Sequence, residues 1–128
     1  MPEPPILLSK WYDYAKWIVE RVDSFPKNQR FIFGQRLAGH ALDIMELLVE
    51  AAYAREKREL LATANRKIEM LRWLIRMAKD RTLFTGRQYE FICEKLEECG
   101  RMTGGWLKSV QKKRGASESS GPPGDVTN

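Results

Sequence analysis

The residues able to do chemistry in this chain are few, and their spacing excludes most reactions. The single histidine, His40, stands near Asp43, Glu46 and Glu50. At helical spacing these would offer one imidazole and scattered carboxylates to a metal. A dinuclear carboxylate site in a helical bundle needs a Glu-x-x-His pair from each of two helices. One histidine cannot supply two, so a packed or surface His40 is the plainer reading. Cys93 and Cys99 are the two cysteines, and their spacing fits neither a C-x-x-C pair nor a disulfide framework. They read as core and surface thiols. No Ser or Cys stands in a nucleophile motif, and no Gly-rich loop follows a strand to cradle phosphate. The expectation is a protein that is not an enzyme, with no catalytic residue, metal, cofactor or small-molecule substrate.

Cations dominate instead. Twenty-two Lys and Arg against 17 Asp and Glu give a net charge of +5, a mild lean towards a polyanionic or acidic partner. Arg72, Arg76 and Lys79 recur at 4-3 spacing and form a ridge on one helix, with Glu69 beside it and Arg58 on the same arc. The planar fork of arginine pairs bidentately with carboxylate or phosphate. A solvated helix face is the plainer reading of such a stripe. Lys108, Lys112, Lys113 and Arg114 close the last apolar-periodic stretch. Cations there are favoured by the helix dipole alone, by ~0.3–1 kcal/mol each; polyanion binding is the sharper reading. Arg58, Lys79, Lys108, Lys112, Lys113 and Arg114 are the candidate nucleic-acid contacts.

Helices must hold these side chains. Trp11, Ala15, Ile18, Val22 and Phe25 share one face of a helix from about Leu8 to Phe25, which Pro26 ends. Asn28 is a candidate N-cap for a second helix, Gln29 to Tyr53. Its expected seam is Gly34, Ala38, Ala41, Met45, Leu48 and Ala52, widened by Leu37, Leu42, Ile44 and Val49. Ala54 to Arg58 contains no Gly or Pro, so a break there and one longer helix both remain open. The third helix runs to about Asp80, its seam Leu61, Ala64, Ile68, Leu71, Ile75 and Ala78. Thr85 and Gln88 have capping-box spacing and open a fourth helix. Gly100, Gly104 and Gly105 within it point to close backbone approach or a kink. The fold class is all-α, an up-down antiparallel four-helix bundle. An N-terminal extension spans 1–8, the bundle 9–114, and a Ser-, Gly- and Pro-rich tail, expected to be disordered, 115–128. No run approaches the ~20 apolar residues of a membrane span, and the N-terminus lacks signal-peptide features, so a cytoplasmic location is expected.

The third helix is apolar over more of its circumference than one core needs. Met70, Trp73 and Met77 carry the surplus and are the candidate oligomer interface.

Three segments resemble a known family. Phe25-Pro26-Lys27-Asn28-Gln29-Arg30-Phe31, with Phe33-Gly34-Gln35-Arg36-Leu37, resembles the first helix junction of four-helix proteins encoded in intervening sequences of bacterial 23S ribosomal RNA genes. Met70-Leu71-Arg72-Trp73-Leu74-Ile75-Arg76 and Gly100-Arg101-x-x-Gly104-x-Trp106 resemble another branch of that superfamily, the accessory variability determinants of diversity-generating retroelements. The similarity spans about Ser9 to Lys113. It implies a homopentameric barrel that binds a reverse transcriptase and nucleic acid, RNA or DNA, while template RNA is copied into cDNA with mutations at adenines. By position, Arg72 and Arg76 match paired arginines of the family implicated in reverse-transcriptase contact, and Gly100, Gly104 and Trp106 would serve packing. The first branch implies instead a protein-interaction scaffold without a nucleic-acid role.

Overall fold

A computed structural model describes residues 3–119, with side chains over 6–113. Four helices make up the fold of the described residues. They are α1 (Glu3–Asp23), α2 (Gln35–Tyr53, entered through a turn at Lys27–Gln29 and a π-helical stretch at Arg30–Gly34), α3 (Arg58–Asp80) and α4 (Gly86–Ser119). Among the described residues there is no strand. Each helix packs on the next, and α1 closes the ring against α4. The pairs Lys10–Glu98, Trp17–Phe91 and Phe25–Phe84 step in opposite directions along α1 and towards the start of α4, which fixes these two as antiparallel. Lys67–Asp43 and Arg81–Gln29 do the same for α3 and α2. The up-down topology follows.

The expected seams of α1 and α3 are buried as read, every named α3 residue fully so. In α2 the buried set is Leu37, Ala41, Ile44, Leu48 and Ala51, while Leu42 and Val49 face outward and Ala38, Met45 and Ala52 lie at the margin. Gly34, Ala41 and Leu48 of the expected seam are thus buried, while Ala38, Met45 and Ala52 give way to neighbours that include Leu37 and Ile44, whose burial removes more apolar area from water. Trp11 is fully buried and donates its indole N–H to the Ala41 carbonyl at 3.0 Å.

Local signals explain the junctions. Pro26, not Asn28, is the N-cap of the Lys27 turn, and its carbonyl accepts from Gln29 and Arg30, both at 2.9 Å. Proline's fixed φ suits that place. The α2–α3 break is real: Ala54 is extended, and Lys57 Nζ donates to the carbonyls of Ala51 and Ala54 at 2.7 Å. A lysine that satisfies the last carbonyls of α2 does what a glycine cap does elsewhere. Thr85 and Gln88 form the capping box reciprocally, at 2.9 and 3.1 Å.

The ends differ from expectation. Helix α1 starts at Glu3 and brings Leu7 fully into the core, so part of 1–8 belongs to the bundle. Prolines in a first turn are tolerated because those N–H groups have no partner in the helix. Helix α4 continues past 114 to Ser119; the rest of the expected tail, 120–128, lies outside the described residues.

Two backbone sites give predictions of opposite sign. A Cβ on Gly34 would stand 2.7 Å from Val22 Cγ1 and 3.4 Å from Phe25 Cδ2. Gly34→Ala should therefore force α1 and α2 apart and destabilise by about 1–3 kcal/mol. Thr82 has φ 59° and sits where Leu83 N–H reaches the Ala78 carbonyl at 2.8 Å and Thr82 N–H that of Lys79 at 2.9 Å. That is a Schellman cap, which favours glycine. Thr82→Gly should relieve the left-handed strain and stabilise by on the order of 0.5–1 kcal/mol, after the extra freedom of glycine in the unfolded chain. Denaturant midpoints of the two variants check both signs; a shift in the same direction for both would refute one of the two accounts.

Candidate functional site

The outward face of α3 carries the candidate site. Its periodicity turns Leu71 and Ile75 fully into the core. Arg72 is left half-buried at the α4 side, and Arg76 is exposed. Between these helices lies a cleft of about 310 Å³, with Glu69, Arg72, Trp73 and Arg76 on one wall and Tyr89, Cys93 and Glu97 on the other. The Arg76 guanidinium lies over the Trp73 ring, 5.7 Å from its centroid, a cation–π contact that steadies both at the surface. Arg72 Nε is 3.4 Å from Glu69 Oε1. Contact with Cys93, and then burial, push the Tyr89 hydroxyl above its usual pKa, so it keeps its proton and remains a hydrogen-bond donor. The two arginines expected to work together therefore share one cleft.

Met70, Trp73 and Met77 are 47%, 67% and 53% exposed, apolar surface that the protomer does not cover. Met77 also lines a hollow of about 250 Å³ with Asn28, Gln29, Ile32, Phe33 and Arg81. Ile32 is 80% exposed there, and Phe31 beside it is exposed too. These two escaped the sequence reading. The signal was present in the run Phe31-Ile32-Phe33-Gly34, since consecutive apolar residues on a helix cannot all face one core.

The candidate nucleic-acid contacts do not form one patch. Arg72 lies against Gly100, and continuing that antiparallel register sets Arg58 beside the end of α4, near Lys112 and Lys113. Lys108, Lys112 and Lys113 are exposed there; the Arg114 side chain lies outside the described residues. Arg58 is 3.7 Å from Glu59. Lys79 is at the other end of α3, ~30 Å away at ~1.5 Å per residue. It shares that end with exposed Lys27, Arg30, Arg81 and Arg87, a basic set that became visible only once two helix junctions were brought together.

The remaining reactive groups serve the fold. Cys99 is buried, which pushes its thiol up to about 12. Glu98 accepts from Lys10 at 2.7 Å and from the Tyr14 hydroxyl at 3.1 Å, and the Lys10 contact chiefly holds its pKa below the usual carboxylate value. The ammonium and phenol thereby pin α1 to α4. His40 Nδ1 is 3.2 Å from the Arg36 carbonyl. Among the described residues no three His, Cys, Asp or Glu side chains converge as metal ligands, and no helix is long and apolar enough to cross a membrane.

No curated protein is detectably similar to the chain. The model of a family described as bAvd-like matches residues 5–110, a span that contains all the buried seams and the arginine cleft. The chain thus belongs to the accessory variability determinant family of diversity-generating retroelements.

Proposed function

We propose that the chain is a non-catalytic adaptor of a diversity-generating retroelement, attaching the reverse transcriptase at Arg72 and Arg76. It would act in the cytoplasm as a homopentamer whose subunits meet through Met70, Trp73 and Met77. Template RNA or cDNA would bind the basic end formed by Arg58, Lys108, Lys112 and Lys113, with Arg114 next in sequence, while Lys79 would make a separate contact at the opposite end of α3. The observation that carries this reading is the α3 face itself: two arginines share a cleft bordered by apolar side chains that the protomer leaves uncovered. Arginine and tryptophan are the residues in which protein interfaces concentrate binding energy. The basic end would work differently, by neutralising phosphates and releasing counterions.

Light scattering together with an RNA titration tests the reading. A pentamer is expected, with affinity for single-stranded RNA falling roughly 50-fold between about 50 and 200 mM salt if four phosphates are neutralised. A monomer would refute the assembly. An oligomer that ignores RNA at both salts would instead support a protein-interaction scaffold.

A further inference from the structure

Arg72 is held with its hydrogen bonding incomplete. A Cβ on Gly100 would stand 3.4 Å from its Nη2, so the guanidinium rests where α4 presents bare backbone. Its Nε is buried without a hydrogen-bond partner. The one carboxylate in ion-pair reach among the described residues, Glu69 Oε1 at 3.4 Å, stands one turn earlier on the same helix and out of line for a hydrogen bond. Leaving a buried donor without a partner is unfavourable, and a planar guanidinium is completed best by a carboxylate meeting it side-on.

We infer that the α3–α4 cleft is a socket for one acidic side chain of the protein partner, and that Glu69 stands in for that carboxylate until the partner displaces it. This rests on the proposed attachment of the reverse transcriptase at Arg72 and Arg76. Three observations favour a carboxylate on a protein over the phosphates of a nucleic acid. Glu69 and Glu97 both line the cleft and repel a chain of phosphates, whereas a lone carboxylate need replace only one of them. The Tyr89 ring on the α4 wall offers apolar surface to the stem of an incoming Asp or Glu. Arg76, with no carboxylate in ion-pair reach among the described residues, is free to take the second oxygen or a second acid. The Glu69 side chain is 63% exposed, so releasing it to water is cheap, as exposed ion pairs contribute little.

The test is the affinity of the full-length chain for its reverse transcriptase, measured for wild type, Glu69→Gln, Glu46→Gln and Arg72→Ala, with polyglutamate and a single-stranded RNA of equal charge as competitors. Glu46 is an exposed acid on α2, so Glu46→Gln makes the same change in net charge away from the cleft. Glu69→Gln should bind roughly two- to fivefold tighter, the worth of one exposed ion pair. Glu46→Gln should match wild type, and polyglutamate should compete better than RNA. If Arg72→Ala loses binding while Glu69→Gln is unchanged or weaker, Glu69 is no stand-in and the inference falls with the attachment site intact. If Arg72→Ala binds as wild type does, the attachment site itself is wrong. Displacement by RNA rather than polyglutamate would make the cleft a phosphate site and overturn the inference.

Discussion

Arg72→Ala combined with Arg76→Ala is expected to abolish capture of the reverse transcriptase, leaving helix content and solution mass unchanged. The two halves of that expectation have separate causes. Arg76 is exposed and Arg72 half-buried, and their one ion pair among the described residues, Arg72 with Glu69, is loose at 3.4 Å. Losing such a pair costs the fold at most about 1 kcal/mol, with a little more for the packing of the Arg72 stem. The core beneath is untouched, since Leu71 and Ile75 point away from the cleft and are fully buried. At a partner interface the same side chains become desolvated, and truncating an arginine there costs about 2–4 kcal/mol. Two such losses sum to at least about 4 kcal/mol, a weakening of roughly a thousandfold. Calorimetry or co-purification at fixed salt measures it, with circular dichroism and light scattering as controls for fold and mass. Wild-type capture by the double variant would remove both arginines from the partner surface.

Periodicity carried most of this fold. The α3 seam was legible because its threes and fours alternate without interruption and nothing competes for its core face. The same clarity exposed the surplus at Met70, Trp73 and Met77, since residues left over after one seam is filled have to face outward. In α2 the pattern was ambiguous. Ala38 and Leu37 both satisfied the spacing, and only packing against α1 and α3 decided for the larger side chain. Boundaries that depend on side-chain chemistry at a distance were harder. Lys57 caps α2 from beyond its end, which no Gly or Pro announced, whereas the Thr85–Gln88 box is local and could be read directly. The pairing of Arg72 with Arg76 was visible on one helix. That Tyr89 and Glu97 complete the cleft required knowing how α4 registers against α3. The basic end at Lys27, Arg30, Arg81 and Arg87 was hidden for the same reason, its residues being split between two distant junctions.

If the chain forms the proposed pentamer through Met70, Trp73 and Met77, Trp73→Glu is expected to reduce it to protomers that remain folded. Trp73 is 67% exposed in the protomer, so the protomer loses only its cation–π contact with Arg76, about 0.5–1 kcal/mol at an exposed site. At a subunit contact the balance reverses. The substitution removes the apolar area of an indole, about 2 kcal/mol or more when buried. It would also bring a carboxylate into the proposed water-poor surface between Met70 and Met77, where desolvating a charge costs several kcal/mol that Arg76 beside it only partly offsets. In the proposed closed ring every subunit would carry the same lesion, so the penalty would recur at each interface and assembly should fail as a whole. Sedimentation at micromolar concentration would then report the protomer mass. Trp73→Phe keeps the apolar contact and should keep the wild-type mass, which separates loss of apolar area and added charge from any special demand for indole. An oligomer of unchanged mass in Trp73→Glu would take Trp73 out of the interface, and its exposure would then belong to the cleft it shares with Arg72 and Arg76. In that case the variant should lose the reverse transcriptase instead. Mass and capture measured on one sample therefore decide which of the two adjoining surfaces owns this side chain.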